Sequence, residues 1–171
     1  MTDGPKYFGK YRATVLNNID PQNQGRIMVQ LGDKYGAFPS TWAMPSFPFA
    51  AKAMAGMVAL PQLGAGVWVE FEAGDPDYPI WSGGFFPEIG GFPALALAGA
   101  FPVTPNIHFQ TTTGTSVTLS DNPAQQVLIK TVTGALFMMG AAGTTISNGQ
   151  GATIVMSGPS VIINNGALVV T

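Results

Sequence analysis

Apolar positions in the first half of this chain recur with a period of two, the spacing of strands rather than helices. Residues 26–31 set Ile27, Val29 and Leu31 against Arg26, Met28 and Gln30, and residues 66–72 set Val67, Val69 and Phe71 against Trp68, Glu70 and Glu72. Each pattern predicts a half-buried strand, and residues 11–19 (YRATVLNNI) and 78–85 (YPIWSGGF) read the same way. Turn chemistry joins these strands in pairs. Between the first two lies Asp20-Pro21-Gln22-Asn23-Gln24-Gly25, where Pro21 presets φ, the Asp20 side chain can cap the turn and Gly25 can take a positive φ. Gly74-Asp75-Pro76-Asp77 joins the second pair. Residues 50–59 (AAKAMAGMVA) predict a turn or two of helix between the hairpins, weakened by Gly56. Short strands, two hairpins and one long connection make residues 1–89 an expected small Greek-key barrel of the OB type.

A Gly/Pro-rich stretch at residues 90–105 predicts a linker, and residues 106–171 obey another rule. Ile146, Ile154, Ile162 and Val170 are spaced by eight residues, each within a short β-branched burst, and Gly143/Gly151 and Gly158/Gly166 share that interval. Upstream the interval loosens to nine, from Leu128 to Phe137 to Ile146. Such an interval holds one short strand and one turn, a unit that encloses no core by itself. Three chains wound together bring each inward side chain onto its two copies and pair every strand edge with a neighbour. The expected fold class is therefore all-β: an OB-fold followed by an intertwined triple-stranded β-helix, homotrimeric, with Ile146, Ile154, Ile162 and Val170 on the trimer axis.

Composition sharpens this expectation. Of 171 residues, 46% are hydrophobic and only 9% charged, against about 25% charged in ordinary soluble domains, so apolar surface must be hidden somewhere. The longest apolar run, residues 92–103, is broken by Pro93, Gly99 and Pro102 and falls short of the ~20 residues that span hydrocarbon. No secretory signal and no transmembrane segment are expected. A subunit interface remains. The absence of cysteine excludes disulfides, thiolate nucleophiles and cysteine metal sites, and a net charge of −2 argues against a nucleic-acid partner. After Gly90 the only ionisable side chains are His108, Asp121 and Lys130.

Candidate chemistry is sparse. Glu70, Glu72, Asp75 and Asp77 concentrate carboxylates, with Glu70 and Glu72 expected on one side of a strand, but they read better as solvated strand and turn residues than as a cation or acid–base site. Gly64 and Gly66 begin like a dinucleotide fingerprint, yet Val69 takes the third glycine's place and a strand follows. His108 has no second histidine or paired nucleophile motif. Trp42, Trp68 and Trp81 are the aromatic set an OB-fold uses to stack bases, but no basic groove accompanies them, and packing is their expected role. Arg12 and Arg26 are expected in interchain ion pairs, and Met138 and Met139 as core fillers. No enzyme activity, cofactor or metal site is expected.

Taken together, Asp20-Pro21, Gly25-Arg26, Trp42, Pro45, Pro61, the run GAGVWVEFE from Gly64, GDPDYPIW from Gly74 and Gly83-Gly84 resemble the OB module of central spike proteins of contractile injection machines. Phage baseplate assembly protein V and the VgrG-type spikes form that family, and VWVEFEAGDPDYPIWSGGF is the specific part of the likeness. The Thr/Gly/Asn-rich tail also resembles the family's spike, so the likeness spans nearly the whole chain. Its motif positions here are Asp20, Pro21, Gly25, Arg26, Trp68, Glu70, Phe71, Gly74, Asp75, Pro76 and Trp81. The resemblance implies a non-enzymatic homotrimer, assembled in the bacterial cytoplasm and placed at the baseplate axis against hub or inner-tube proteins. Sheath contraction then drives it through the target envelope. No fused lysozyme domain is expected within 171 residues, and with His108 the single histidine, the metal-holding HxH apex of some phage spikes is not expected either. By family analogy a PAAR-type tip protein is expected against Val169, Val170 and Thr171. Two alternatives stay open: a trimeric adhesin or receptor-binding fibre, disfavoured because the chain ends within its repeat, and an oligonucleotide-binding OB protein, disfavoured by the acidic pI.

Overall fold

A computed structural model describes residues 5–32, 39–50, 52, 55–97 and 106–170. The chain divides into two compact units, Met1–Gly91 and Phe92–Thr171.

In the first unit, strands β1 (Tyr11–Asn17), β2 (Met28–Leu31), β3 (Met44–Pro45), β4 (Gly66–Phe71) and β5 (Pro79–Phe85) form one sheet in the order β2-β1-β4-β5-β3. Both expected hairpins are present: β1 pairs antiparallel with β2, and β4 with β5. The pairing that joins the hairpins, β1 against β4 with Tyr11 opposite Val69 and Ala13 opposite Val67, has no local signature in the sequence. Residues 40–45 then close the sheet on itself. Ser40 donates to the Val29 carbonyl, Ile27 and Ala43 exchange backbone hydrogen bonds on the β2 side, and Met44 and Pro45 lie parallel to Ile80 and Trp81 of β5.

The alternation read from the sequence fills this barrel. Ile27, Val29, Leu31, Val67, Val69 and Phe71 are all buried, joined by Ala13, Val15, Ala43 and Trp81. Tyr7 and Tyr11 pack their rings on Phe71 with centroids 5.8 and 5.6 Å away.

The described members of residues 50–59 (50, 52 and 55–59) do not show the expected helix: they carry an isolated antiparallel bridge between Ala50 and Gly56, and Met57 donates to the Phe49 carbonyl. A Cβ at position 56 would sit 3.1 Å from that carbonyl oxygen, so the glycine that weakens a helix here admits a close backbone approach instead.

The second unit opens with one turn of helix, α1 (Ala94–Leu97), inside the expected linker, whose remaining residues 98–105 lie outside the described set. The eight strands that follow are β6 (Asn106–Gln110), β7 (Ser116–Ser120), β8 (Val127–Lys130), β9 (Leu136–Gly140), β10 (Gly143–Ser147), β11 (Thr153–Ser157), β12 (Ser160–Ile163) and β13 (Leu168–Val170). They form one antiparallel meander in strict chain order. Strands β7 to β12 therefore have both edges filled by neighbours of the same chain, and the expected pairing of every strand edge with another chain does not hold for them. Turns supply the conformations the ladder cannot: Asn164, Asn165 and Gly166 all have positive φ ahead of β13, residue types that tolerate it. Among the described strand residues of this unit only Ser116, Thr118 and Leu128 are buried. A single sheet has nothing on which to bury a face.

Candidate functional site

The motif residues of the barrel unit hold backbone rather than a reaction centre. The Asp20 carboxylate accepts from the backbone N–H groups of Gln22 at 3.0 Å, Gln24 at 2.8 Å and Arg26 at 3.2 Å, and from the Arg26 guanidinium at 2.6 and 3.1 Å. The Arg26 side-chain hydrogen bonds hold the Asp20 carboxyl well below the usual carboxylate range, and the three backbone N–H groups add to the effect. Arg26 is thus paired within its own chain, not between chains as expected, because the turn begun by Pro21 brings it back onto Asp20. Its guanidinium also lies 5.6 Å from the Trp42 ring. Gly25 takes φ +76 and its carbonyl accepts from Trp81 Nε1 at 3.1 Å. Phe47 meets the Trp81 ring edge-on at 5.6 Å.

Arg12 likewise finds partners at home, 5.4 Å from the Trp68 ring and 5.2 Å from that of Phe85. The three tryptophans consequently form no common platform: Trp81 is buried, Trp68 is flanked by Arg12 and Phe85, and Trp42 stands beside Arg26. The carboxylates do not assemble either. Glu70 accepts from Lys10 and from Ser82 Oγ, the second at 3.0 Å, and these bonds lower its pKa. Glu72 leaves the strand to begin a 3-10 turn, Glu72–Gly74, so it does not continue the Glu70 side of the sheet as expected. Asp75 caps the following turn through the Asp77 N–H, with Pro76 between them. Gly74 has φ +77, and its carbonyl accepts from the Tyr7 N–H at 2.9 Å. Among the described residues no group of three acidic or histidine side chains is placed to hold a metal ion.

The unusual surface lies in the second unit. Cross-strand register puts Phe109, Val117, Ile129, Phe137, Ile146, Ile154, Ile163 and Leu168 in one row across all eight strands. A second row on the same face carries Ile107, Leu119, Val127, Met139, Thr144, Met156, Val161 and Val170. Of these sixteen positions only Thr144 is polar, yet the face is open: Phe109 is 54% exposed, Ile107 56%, and Ile146 and Ile154 about 40%. An apolar patch of this extent marks an association surface.

The opposite face differs along its length. Toward β6 and β7 it carries His108, Gln110, Ser116 and Thr118, and His108 bonds Thr118 Oγ1 at 2.7 Å and Gln110 Oε1 at 3.2 Å. Farther along, on β9, β11 and β12, it carries Met138, Val155 and Ile162. The expected axial octad is therefore split. Ile146, Ile154 and Val170 share the open apolar face, whereas Ile162 pairs with Val155 and Val169 and points the other way, its place in the row taken by Ile163. Met139 belongs to the open face and is 42% exposed rather than filling a core, while Met138 lies on the other. Of the expected tip residues, Val169 pairs with Ile162, Val170 pairs with Val161, and Thr171 lies outside the described residues.

Comparison with known proteins assigns both units. Residues 106–169 match the family described as the phage baseplate V C-terminal trimerisation domain, and residues 11–86 match the type VI secretion system/phage-baseplate injector OB domain. No curated protein matches the chain. A curled OB-type sheet followed by a second sheet with an uncovered apolar face agrees with those two descriptions, and the chain belongs to the spike-protein family of phage baseplate V.

Proposed function

We propose that three copies of this chain form the central spike of a contractile injection machine's baseplate, driven through the target envelope when the sheath contracts. The observation that carries this reading is the pair of uncovered apolar rows on β6–β13, in a segment that matches a trimerisation domain. A threefold axis parallel to the rows turns each sheet's open face inward, where identical rows cover one another. Ile146, Ile154 and Val170 then lie inside the trimer, and Ile162 lies on its flank. No charged side chain follows Lys130, which lowers the desolvation cost of moving the far end of the needle through lipid. Hub or inner-tube proteins are the partners of the barrel unit, and a PAAR-type tip protein is the partner of the end formed by Val169, Val170 and Thr171.

Native mass spectrometry of the purified chain, together with labelling of the chain in purified particles, tests the reading. A trimer, with label at the baseplate axis, is the expected result. A folded monomer, or label confined to fibres or sheath, overturns it.

A further inference from the structure

The second unit carries two residues of fixed charge, Asp121 and Lys130, and the meander places them on opposite strand-end sides of one sheet, at the ends of the adjacent strands β7 and β8. Asp121 follows Ser120, the last residue of β7, in the turn that leads to β8. Lys130 is the last residue of β8, at the side where the next turn begins with Thr131 donating to the Ala135 carbonyl. Lys130 lies opposite Ser116 in the β7–β8 ladder, so five residue steps separate Asp121 from the level of Lys130, about 17 Å of strand. That is too far for an ion pair within the chain. Neither side chain has an ion pair or hydrogen bond among the described residues.

Two isolated opposite charges in an otherwise uncharged segment invite the question of what faces them. In a closed threefold ring every interface is heterologous: one side of each sheet meets the other side of the next. The side that carries Lys130 therefore meets the neighbour's side that carries Asp121, and because β7 and β8 are adjacent strands, a threefold rotation without translation leaves the two residues one strand spacing, ~4.8 Å, apart along the axis, within reach of a lysine side chain. We propose that Asp121 of one copy and Lys130 of the next form an ion pair, repeated three times as a girdle that fixes the register of the trimer. This rests on the spike reading above, since it needs the three sheets to close around their apolar rows. Charge complementarity selects a second copy as the partner, and the apolar rows supply most of the association. Three equivalent pairs penalise any assembly in which one chain slips by a strand, which the apolar rows alone, being nearly uniform along the axis, do not.

The test uses the full chain. Native mass spectrometry first establishes the oligomer. A carbodiimide then joins carboxylate and amine only where they touch, and the expected product is an Asp121–Lys130 cross-linked peptide recovered from bands of two and three chains. In a parallel series, Asp121→Lys and Lys130→Asp each weaken the trimer on the order of tenfold by turning three attractive pairs into three repulsive ones, and the double exchange restores it to within about threefold. A monomeric wild type overturns the spike reading and this pairing with it. A wild-type trimer with no such link, or a double exchange no better than either single variant, overturns the pairing alone.

Discussion

Replacing Ile154 with Asp tests the inward face directly. Fully burying an aliphatic side chain stabilises by about 1.5–3 kcal/mol, and Ile154 remains 38% exposed in the single chain. Covering that remainder contributes about 0.6–1.1 kcal/mol per copy, or about 2–3 kcal/mol per trimer. The charge of the aspartate matters more than the lost contact. To enter a dry interface at pH 7 it must bind a proton against an ordinary pKa near 3.9, which costs about 4 kcal/mol per copy at 1.36 kcal/mol per pH unit, and about 13 kcal/mol for three. The combined loss, about 15 kcal/mol, rivals the whole free energy of a picomolar complex, so no trimer is expected at neutral pH. At pH 4.5 the protonation cost falls to about 2–3 kcal/mol per trimer, and association should partly return. Native mass spectrometry or sedimentation at the two pH values reads the outcome. Ile162→Asp is the companion variant: its side chain lies on the other face, the carboxylate stays solvated, and the trimer should persist at both pH values. Wild-type association by Ile154→Asp at pH 7, or loss of the trimer by Ile162→Asp instead, would refute the assignment of faces.

Three further outcomes follow from the barrel. The folded pKa of Asp20 is depressed, so its contribution to stability is complete above the unfolded value near 3.9 and is lost as pH falls from there toward the folded value; the difference in thermal midpoint between wild type and Asp20→Asn should be largest near neutrality and shrink below about pH 4. A Cβ at position 66 would lie 2.8 Å from Phe85 Cε2 and 3.0 Å from the Phe85 carbonyl oxygen, so Gly66→Ala should cost about 1–3 kcal/mol in urea unfolding and alter tryptophan fluorescence, because Phe85 sits 5.0 Å from Trp68. Trp81→Phe keeps the apolar packing but removes the donor to the Gly25 carbonyl, which should cost about 1–3 kcal/mol with no change in oligomeric state.

How much of the barrel could be read in advance depends on the range of the interaction. The alternation of Ile27, Val29 and Leu31, and of Val67, Val69 and Phe71, is local, and these side chains form the core because a two-residue period needs only the strand itself to set the face. The Asp20 turn is equally local, down to the carboxylate that caps it. What escaped is long-range: the β1–β4 pairing, the closure through Ala43 and Met44, and the home of Arg12 against Trp68 and Phe85. Each depends on which strands become neighbours, and composition carries no signal for that. Residues 50–59 failed for a different reason. Alanine-rich sequence has helix propensity, but propensity is a weak prior that tertiary contacts override, here the Gly56 approach to Phe49.

The tail shows why a sequence repeat is not a spatial one. In an antiparallel hairpin the spacing between partners changes by two with each step along the strand, so its parity is fixed by the turn, and only spacings of that parity keep a residue on its partner's face. Partners on β10 and β11 are separated by even numbers, as in Ile146–Ile154, and an eight-residue step stays on the face. Across β11 and β12 the separations are odd, as in Ile154–Ile163, so the step of eight to Ile162 crosses the sheet. From β12 to β13 they are odd again, as in Val161–Val170, and the step from Ile162 to Val170 crosses back. The looser interval of nine upstream behaves the same way: it keeps the face from Phe137 to Ile146, where separations are odd, and loses it from Leu128 to Phe137, where they are even. A parallel coil with constant rise would have preserved the octad, whereas a meander preserves only a face. The selected quantity in this tail is therefore the apolar character of alternate positions in every strand, and the interval of eight is a consequence of strands and turns of nearly equal length.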